Sequence, residues 1–167
     1  MPVRRGWTST WALCRVGMLV GDTGGMELND ALAYAQPIQR GVLATAKADG
    51  RPQLSNIMFT VADDGLIRIS VTASRAKTAN MARDPRVSLH VTAPNFWSYV
   101  VIEADVTLTP VAVDPSDATV DELVELYRQM QGEHADWAEY RAAMVADQRL
   151  VARLTPTRCY GSLPQQA

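Results

Sequence analysis

Apolar residues recur along this chain at two different periods, and the change of period divides it into parts. Leu28, Leu32 and Ala35 fall at helical spacing between Glu27 and Gln36, with Asn29 or Asp30 able to begin the turn and Pro37 limiting it. From Gly41 the period drops to two. Gly41 to Lys47 reads as a strand, Ala48-Asp49-Gly50-Arg51 as a tight turn, and Pro52 to Val61 as a longer returning strand. On that strand Gln53, Ser55, Ile57, Phe59 and Val61 share one face, and Leu54, Asn56, Met58 and Thr60 the other. Its polar members cluster in the first half, where a buried strand would meet a polar ligand.

Asp63-Asp64-Gly65 makes a second hairpin turn, and Leu66 to Val71 alternates with Ile67, Ile69 and Val71 inward. A short helix is expected from Arg75 to Arg83, because Asp84 precedes a proline and resists helical geometry. Arg86 to Val91 is another alternating strand. Trp97 to Leu108 is the longest, with Val100, Ile102, Ala104, Val106 and Leu108 opposed to Glu103, Asp105 and Thr107. After Pro110 the helical period returns. Thr119-Val120-Asp121-Glu122 fits a capping box, Val120, Leu123, Tyr127 and Met130 share a face, and Gly132 ends the helix. Glu133 to Asp136 connects to a second helix reaching about Ala146, and Leu150 to Pro156 is a last strand that Thr157 to Gly161 extend. Six strands joined mostly by hairpins, with three or four helices, predict an α+β protein that is mainly β: an antiparallel barrel or curved sheet with peripheral helices.

Length and charge narrow the setting. The 167 residues suit one domain, placed at residues 26–163 with a short tail at 164–167. Residues 1–25 resemble a secretory signal only faintly, since Arg15 interrupts the apolar run and no small-residue cleavage site closes it; a disordered extension is expected there. That run is too short and too charged to span a membrane. A net charge of −2 offers no broad basic face for nucleic acid. Cys14 and Cys159 lie far apart, which argues against a disulfide framework and suits a reducing cytoplasm.

Candidate chemistry is sparse. There is no nucleophile elbow, phosphate-binding P-loop or dinucleotide fingerprint. The only histidines are His90, expected as a hydrogen-bonded core residue, and His134 in a polar connection; no metal site is expected. Glu103 and Asp105 share a strand face, which a solvated or interface edge explains as well as acid–base work does. The informative stretch is Ser74-Arg75-Ala76-Lys77-Thr78-Ala79-Asn80-Met81. Ser74 is placed to cap the helix, and free N–H groups there, with Arg75, Lys77 and Thr78 in the first turn, would receive an anion. Two cations at a helix start oppose its dipole unless an anion sits among them. The same residues would also serve as an ordinary solvated helix start. An anion seat without a protein nucleophile or proton shuttle points to a cofactor that brings its own chemistry, and a flavin-type cofactor suits that profile.

Gly41-Val42-Leu43-Ala44-Thr45, Asp49 to Asn56, Ser74 to Asn80 and Arg83-Asp84-Pro85 resemble, in order, segments of the pyridoxamine-phosphate-oxidase-like split β-barrel proteins. Within these they look most like the flavin/deazaflavin oxidoreductase branch; Trp97-Ser98-Tyr99 and Gly132 to Trp137 add to the match, which covers about Glu27 to Gly161. The resemblance implies a six-stranded, FMN-binding-like split barrel. It implies a cofactor phosphate at Ser74, Arg75, Ala76, Lys77 and Thr78, joined by Ser70, with Ser55 and Asn56 along ring and ribityl chain. Arg51 and Gln53 would meet the acidic tail of coenzyme F-420, an 8-hydroxy-5-deazaflavin. Trp97 and Tyr99 would wall the pocket from the second subunit of a homodimer. Ser55 stands where FMN-dependent oxidases of this type often carry arginine. The activity implied is hydride transfer between F-420 and a small organic acceptor in the cytoplasm, with no catalytic side chain. The alternatives are an FMN-dependent oxidase or reductase, a non-catalytic flavin or deazaflavin carrier, and a haem-binding split barrel, which the presence of only two histidines disfavours.

Overall fold

The computed structural model describes residues 26–163; the expected N-terminal extension and the four-residue tail lie outside the described residues. The elements are α1 (Leu28–Ala35), β1 (Arg40–Ala46), β2 (Pro52–Met58), β3 (Thr60–Val61), β4 (Ile67–Thr72), α2 (Ala76–Arg83), β5 (Arg86–Thr92), β6 (Tyr99–Leu108), α3 (Ala118–Gln131), α4 (Trp137–Ala146) and β7 (Arg149–Ser162). All strands join one antiparallel sheet in the order β2-β1-β5-β6-β7-β4-β3. β2 and β4 share no ladder yet approach one another, so the sheet curls on itself with a split between them.

The sheet therefore has seven strands, not six. The single strand expected over Pro52 to Val61 breaks at Phe59, whose N–H donates to the Gln39 carbonyl (3.1 Å) instead of to a ladder partner. Phe59 itself is fully buried and pins the break. Before it the chain pairs with β1; after it the chain pairs with β4. One periodic run thus serves both edges of the sheet.

Two apolar cores flank the sheet. Inside the curl, Leu43, Ile57, Phe59, Ile67, Ile69, Leu89, Val100, Ile102 and Leu154 pack together, closed at one end by Ala31 and Ala35 of α1. Outside it, Val120, Leu123 and Leu126 of α3 and Met144 of α4 cover Val151 of β7. Pro156, which has no N–H for the ladder, pairs with Ala104 beside a register shift between Glu103 and Ala104 that accommodates it.

Local capping departs from the sequence expectation at three places. α2 begins at Ala76, with Arg75 in the capping position and no side-chain cap; Ser74 lies outside the helix in the preceding turn, where Arg75 N–H donates to Thr72 O (3.1 Å). α3 is capped by Asp117, which accepts the Val120 N–H at 2.8 Å. Thr119 instead donates to the Pro110 carbonyl, and Glu122 turns to Arg68 and Arg153. β6 begins at Tyr99, because Ala93-Pro94-Asn95-Phe96-Trp97-Ser98 closes as a loop in which Phe96 holds φ 68° and Trp97 stands 77% exposed. His90 is no core residue: it lies half-buried on the outer face of β5, its ring 5.6 Å from that of Tyr99. Among the described residues no helix is long and apolar enough to cross a membrane.

Candidate functional site

The split between β2 and β4 opens at the start of α2. Three features of the sequence meet there. β2 brings Gln53 and Ser55, the polar first half of its inward face. β4 ends in Ser70, Val71 and Thr72, and the chain that follows brings Arg75 at the capping position of α2 and Ala76 and Lys77 in its first turn. These residues line a hollow of about 420 Å³. A ninth residue, Arg149, reaches it from the first position of β7, because Thr72 and Arg149 are partners in the β4–β7 ladder.

Three cations therefore converge on one small polar hollow. Among the described residues neither Arg75 nor Lys77 forms a salt bridge, and Arg149 reaches Asp147 only at 3.4 Å. Burial pushes the Lys77 ammonium below the ordinary lysine value, and the guanidiniums of Arg75 and Arg149 push it the same way. Such crowding is unfavourable in the free protein and is relieved by an anion that accepts from all three. Ser55 and Ser70 add hydroxyls, and Arg149 Nη1 approaches Ser70 Oγ at 3.5 Å. The residues fit a phosphate group.

The remaining expected site residues lie elsewhere. Ser74 is exposed in the turn and does not line the hollow. Thr78 is buried, its hydroxyl donating to Thr72 O at 2.8 Å, so it shapes the turn beneath the hollow. Arg51 lies in the exposed β1–β2 turn, where its Nε donates to Asp49 at 2.9 Å and holds that carboxyl below its usual range. Asn56 points to the opposite strand face, into a larger groove of about 1050 Å³ that Arg40, Val42, Met58, His90 and Thr92 also line. Tyr99 adjoins that face beside His90, and Trp97 extends into solvent. Within one chain, then, Gln53, Ser55, Ser70, Arg75, Ala76 and Lys77 come together, and Arg51, Asn56, Ser74, Thr78, Trp97 and Tyr99 do not line the hollow with them.

Arg149 escaped the sequence reading for a plain reason. It lies more than seventy positions from the α2 turn, and no local pattern marks a cation at the head of a strand. Asn80 and Thr45 also gained no role from sequence. Both are buried, and Asn80 Nδ2 donates to Thr45 Oγ1 and Gln53 Oε1, each at 3.0 Å.

An antiparallel sheet curled on itself and split between β2 and β4 is the architecture of the split-barrel proteins. The family model for pyridoxamine 5'-phosphate oxidase matches residues 29–162, and the chain belongs to that family. Among solved structures it is similar to an F-420 reductase, with TM-score 0.56 and 24% identity over 75% of this chain and 91% of that one. It is similar also to a conserved hypothetical protein of Mycobacterium tuberculosis, with TM-score 0.63 and 21% identity over 85% and 91% of the two chains. The heme storage protein HutZ of Vibrio cholerae matches with TM-score 0.59 and 16% identity over 81% and 95%. At these identities the likeness is one of fold.

Proposed function

We propose that this chain is a cytoplasmic, homodimeric oxidoreductase that uses coenzyme F-420 to transfer a hydride to or from a small organic acceptor. The observation that carries the reading is the convergence of Arg75, Lys77 and Arg149 on one polar hollow at the split. The likeness to an F-420 reductase agrees with it. When bound, the deazaflavin supplies two-electron hydride chemistry, and the protein contributes no covalent partner. Arg75, Lys77 and Arg149 bind the phosphate, and Ser55, Ser70 and Gln53 fix its orientation. Rate enhancement comes from holding ring and acceptor in register and away from water.

A second subunit completes the site. On the outer face of β2, β1, β5 and β6 only the end of α3, at Met130 and Gln131, borders the groove, and Leu54 (65% exposed), Met58 (40%) and Tyr160 (47%) stand open near it. A second copy on this face would place its loop, with Trp97, beside the neighbour's groove. Arg51 and Asn56, which lie apart from the hollow within one chain, would then serve the tail and ring.

One observation favours FMN as the runner-up. Ser55 replaces the arginine expected beside an FMN phosphate, but Arg149 enters the same hollow from β7 and restores the cation. Titrating the purified protein with oxidised FMN and with F-420, followed by fluorescence, separates the two. F-420 is expected to bind, with affinity lost in the Arg75→Ala, Lys77→Ala double variant. Turnover of reduced F-420 with enones, quinones or biliverdin-like tetrapyrroles then separates an enzyme from a carrier. Undiminished binding in the double variant would sink the phosphate assignment.

A further inference from the structure

We propose that Asn80 is a positioning residue that acts through Gln53 to make the anion hollow a site of donors only. The proposal rests on the reading that the hollow holds a phosphate. Asn80 is 6% exposed, and of the hydrogen-bond partners of its side chain (Thr45, Gln53 and Arg83) only Gln53 lines the hollow.

The polarity is set from outside inward. Arg83 stands at the surface end of α2, with one guanidinium nitrogen on the Ala46 carbonyl and on Asn80 Oδ1, the latter at 3.2 Å. A guanidinium donates and never accepts, so the oxygen end of the Asn80 amide must face it. The NH₂ end then faces inward and donates to Thr45 Oγ1 and to Gln53 Oε1. Gln53 cannot turn its own amide over without setting NH₂ against NH₂. Its carbonyl is thereby committed to Asn80, and its Nε2 is the end left to the hollow that it lines. Among the described residues Nε2 has no protein partner, and it is not sealed from solvent.

The consequence is chemical selection. Arg75, Lys77 and Arg149 can only donate, Ser55 and Ser70 can donate, and Gln53 is held so that it donates as well. An ionised phosphate oxygen then meets no side-chain carbonyl or carboxylate among these groups, and the serine hydroxyls can turn their protons towards it. If the Gln53 amide were free to rotate, its carbonyl could face the anion and repel it. Arg83, Asn80 and Gln53 thus form a chain in which one exposed cation fixes the sense of two amides, the second of which lies in the site.

Asn80→Asp tests this with little change of shape. A carboxylate accepts from Arg83, Thr45 and Gln53 alike, so Gln53 reverses and presents oxygen to the hollow. The probes are two pairs, titrated by fluorescence against the full chain: FMN with riboflavin, which differ by the phosphate alone, and F-420 with the deazariboflavin that lacks both its phosphate and its acidic tail. Wild type should hold the phosphate-bearing member of at least one pair more tightly. Asn80→Asp should weaken that member by about 10- to 100-fold, the range for a hydrogen bond to a charged group, and leave its phosphate-free partner unchanged. In a Gln53→Met background the loss should shrink, because no amide remains to reverse; a through-space effect of the new charge would persist there. Arg83→Met, at an exposed position that folding tolerates, should produce a smaller loss of the same kind, also cancelled by Gln53→Met. A penalty equal for both members of a pair, or undiminished in the Gln53→Met background, overturns the role of Asn80 while leaving the phosphate seat in place. A wild type without preference for phosphate overturns the seat, and this inference with it.

Discussion

Replacing Lys77 with methionine should weaken cofactor binding and at the same time strengthen the free protein. Lys77 is half-buried in the first turn of α2, between two guanidiniums. A charge-assisted hydrogen bond to phosphate contributes about 1.5–3 kcal/mol. Arg75 and Arg149 remain in the variant and water partly screens the site, so the lower half of that range applies. That corresponds to binding about 10- to 40-fold weaker. In the free protein the sign reverses. Burial and the neighbouring cations hold the folded-state ammonium below 10.5, so at neutral pH the charged group opposes folding. Methionine keeps the apolar stem and removes the charge, for a gain below about 1 kcal/mol given the solvent screening. The unfolded chain binds the extra proton between the depressed folded value and 10.5, so wild-type stability rises with pH across that window. The gap between variant and wild type is therefore full at pH 7 and closes as pH approaches 10.5. Fluorescence titration and ligand-free thermal melts from pH 7 upward measure the two effects. Unchanged affinity, or a free variant less stable than wild type at neutral pH, would refute the electrostatic reading of the hollow.

Further outcomes follow from other parts of the molecule. Glu122 is 15% exposed and holds Arg68 and Arg153 together, so Glu122→Gln should cost about 1–3 kcal/mol in chemical denaturation. Burial raises the Glu122 pKa, but hydrogen bonds from Arg153 and Arg68 outweigh it and leave the group below its ordinary 4.5; hydrogen bonding to Arg68 likewise holds neighbouring Asp64 at about 2. Both carboxylates stabilise the fold above their unfolded values and lose that contribution as pH falls, so wild type should melt progressively earlier from pH 4.5 towards 2, and Glu122→Gln less steeply. Parallel curves would contradict this. Gly161→Ala would drive a methyl into Tyr99 O and set it 2.8 Å from Val100 Cα, both backbone atoms of the paired strand, and should destabilise by about 3 kcal/mol in urea. Trp97→Ala, at a site 77% exposed, should leave monomer stability within about 0.5 kcal/mol while lowering dimer or cofactor affinity in sedimentation and titration. If neither affinity moves, the tryptophan does not wall the site.

Much of this protein is decided locally. The two-residue period of Gly41 to Thr45, Ile67 to Val71 and Val100 to Val106 fixes which side chains meet inside the curl, because neighbouring strand residues must face opposite ways. Asp49-Gly50 and Asp64-Gly65 supply hairpins, since Gly50 and Gly65 hold positive φ (81° and 76°) at no steric cost. The cations of the α2 turn and the polar half of β2 were legible for the same reason: each is a feature of a few consecutive residues. Tertiary structure decided the rest. Phe59 ends one strand and starts another only because a distant carbonyl, that of Gln39, takes its N–H. Glu122 leaves its expected capping role for two arginines on other strands, and Asp117 takes over the helix start. Arg149 enters the hollow through strand pairing, and Asn80 of α2 reaches Gln53 where the helix packs against the paired β1 and β2. Local sequence sets the period of an element and the rotation of its chain, whereas these contacts depend on where the sheet closes, a property that no short run of residues contains.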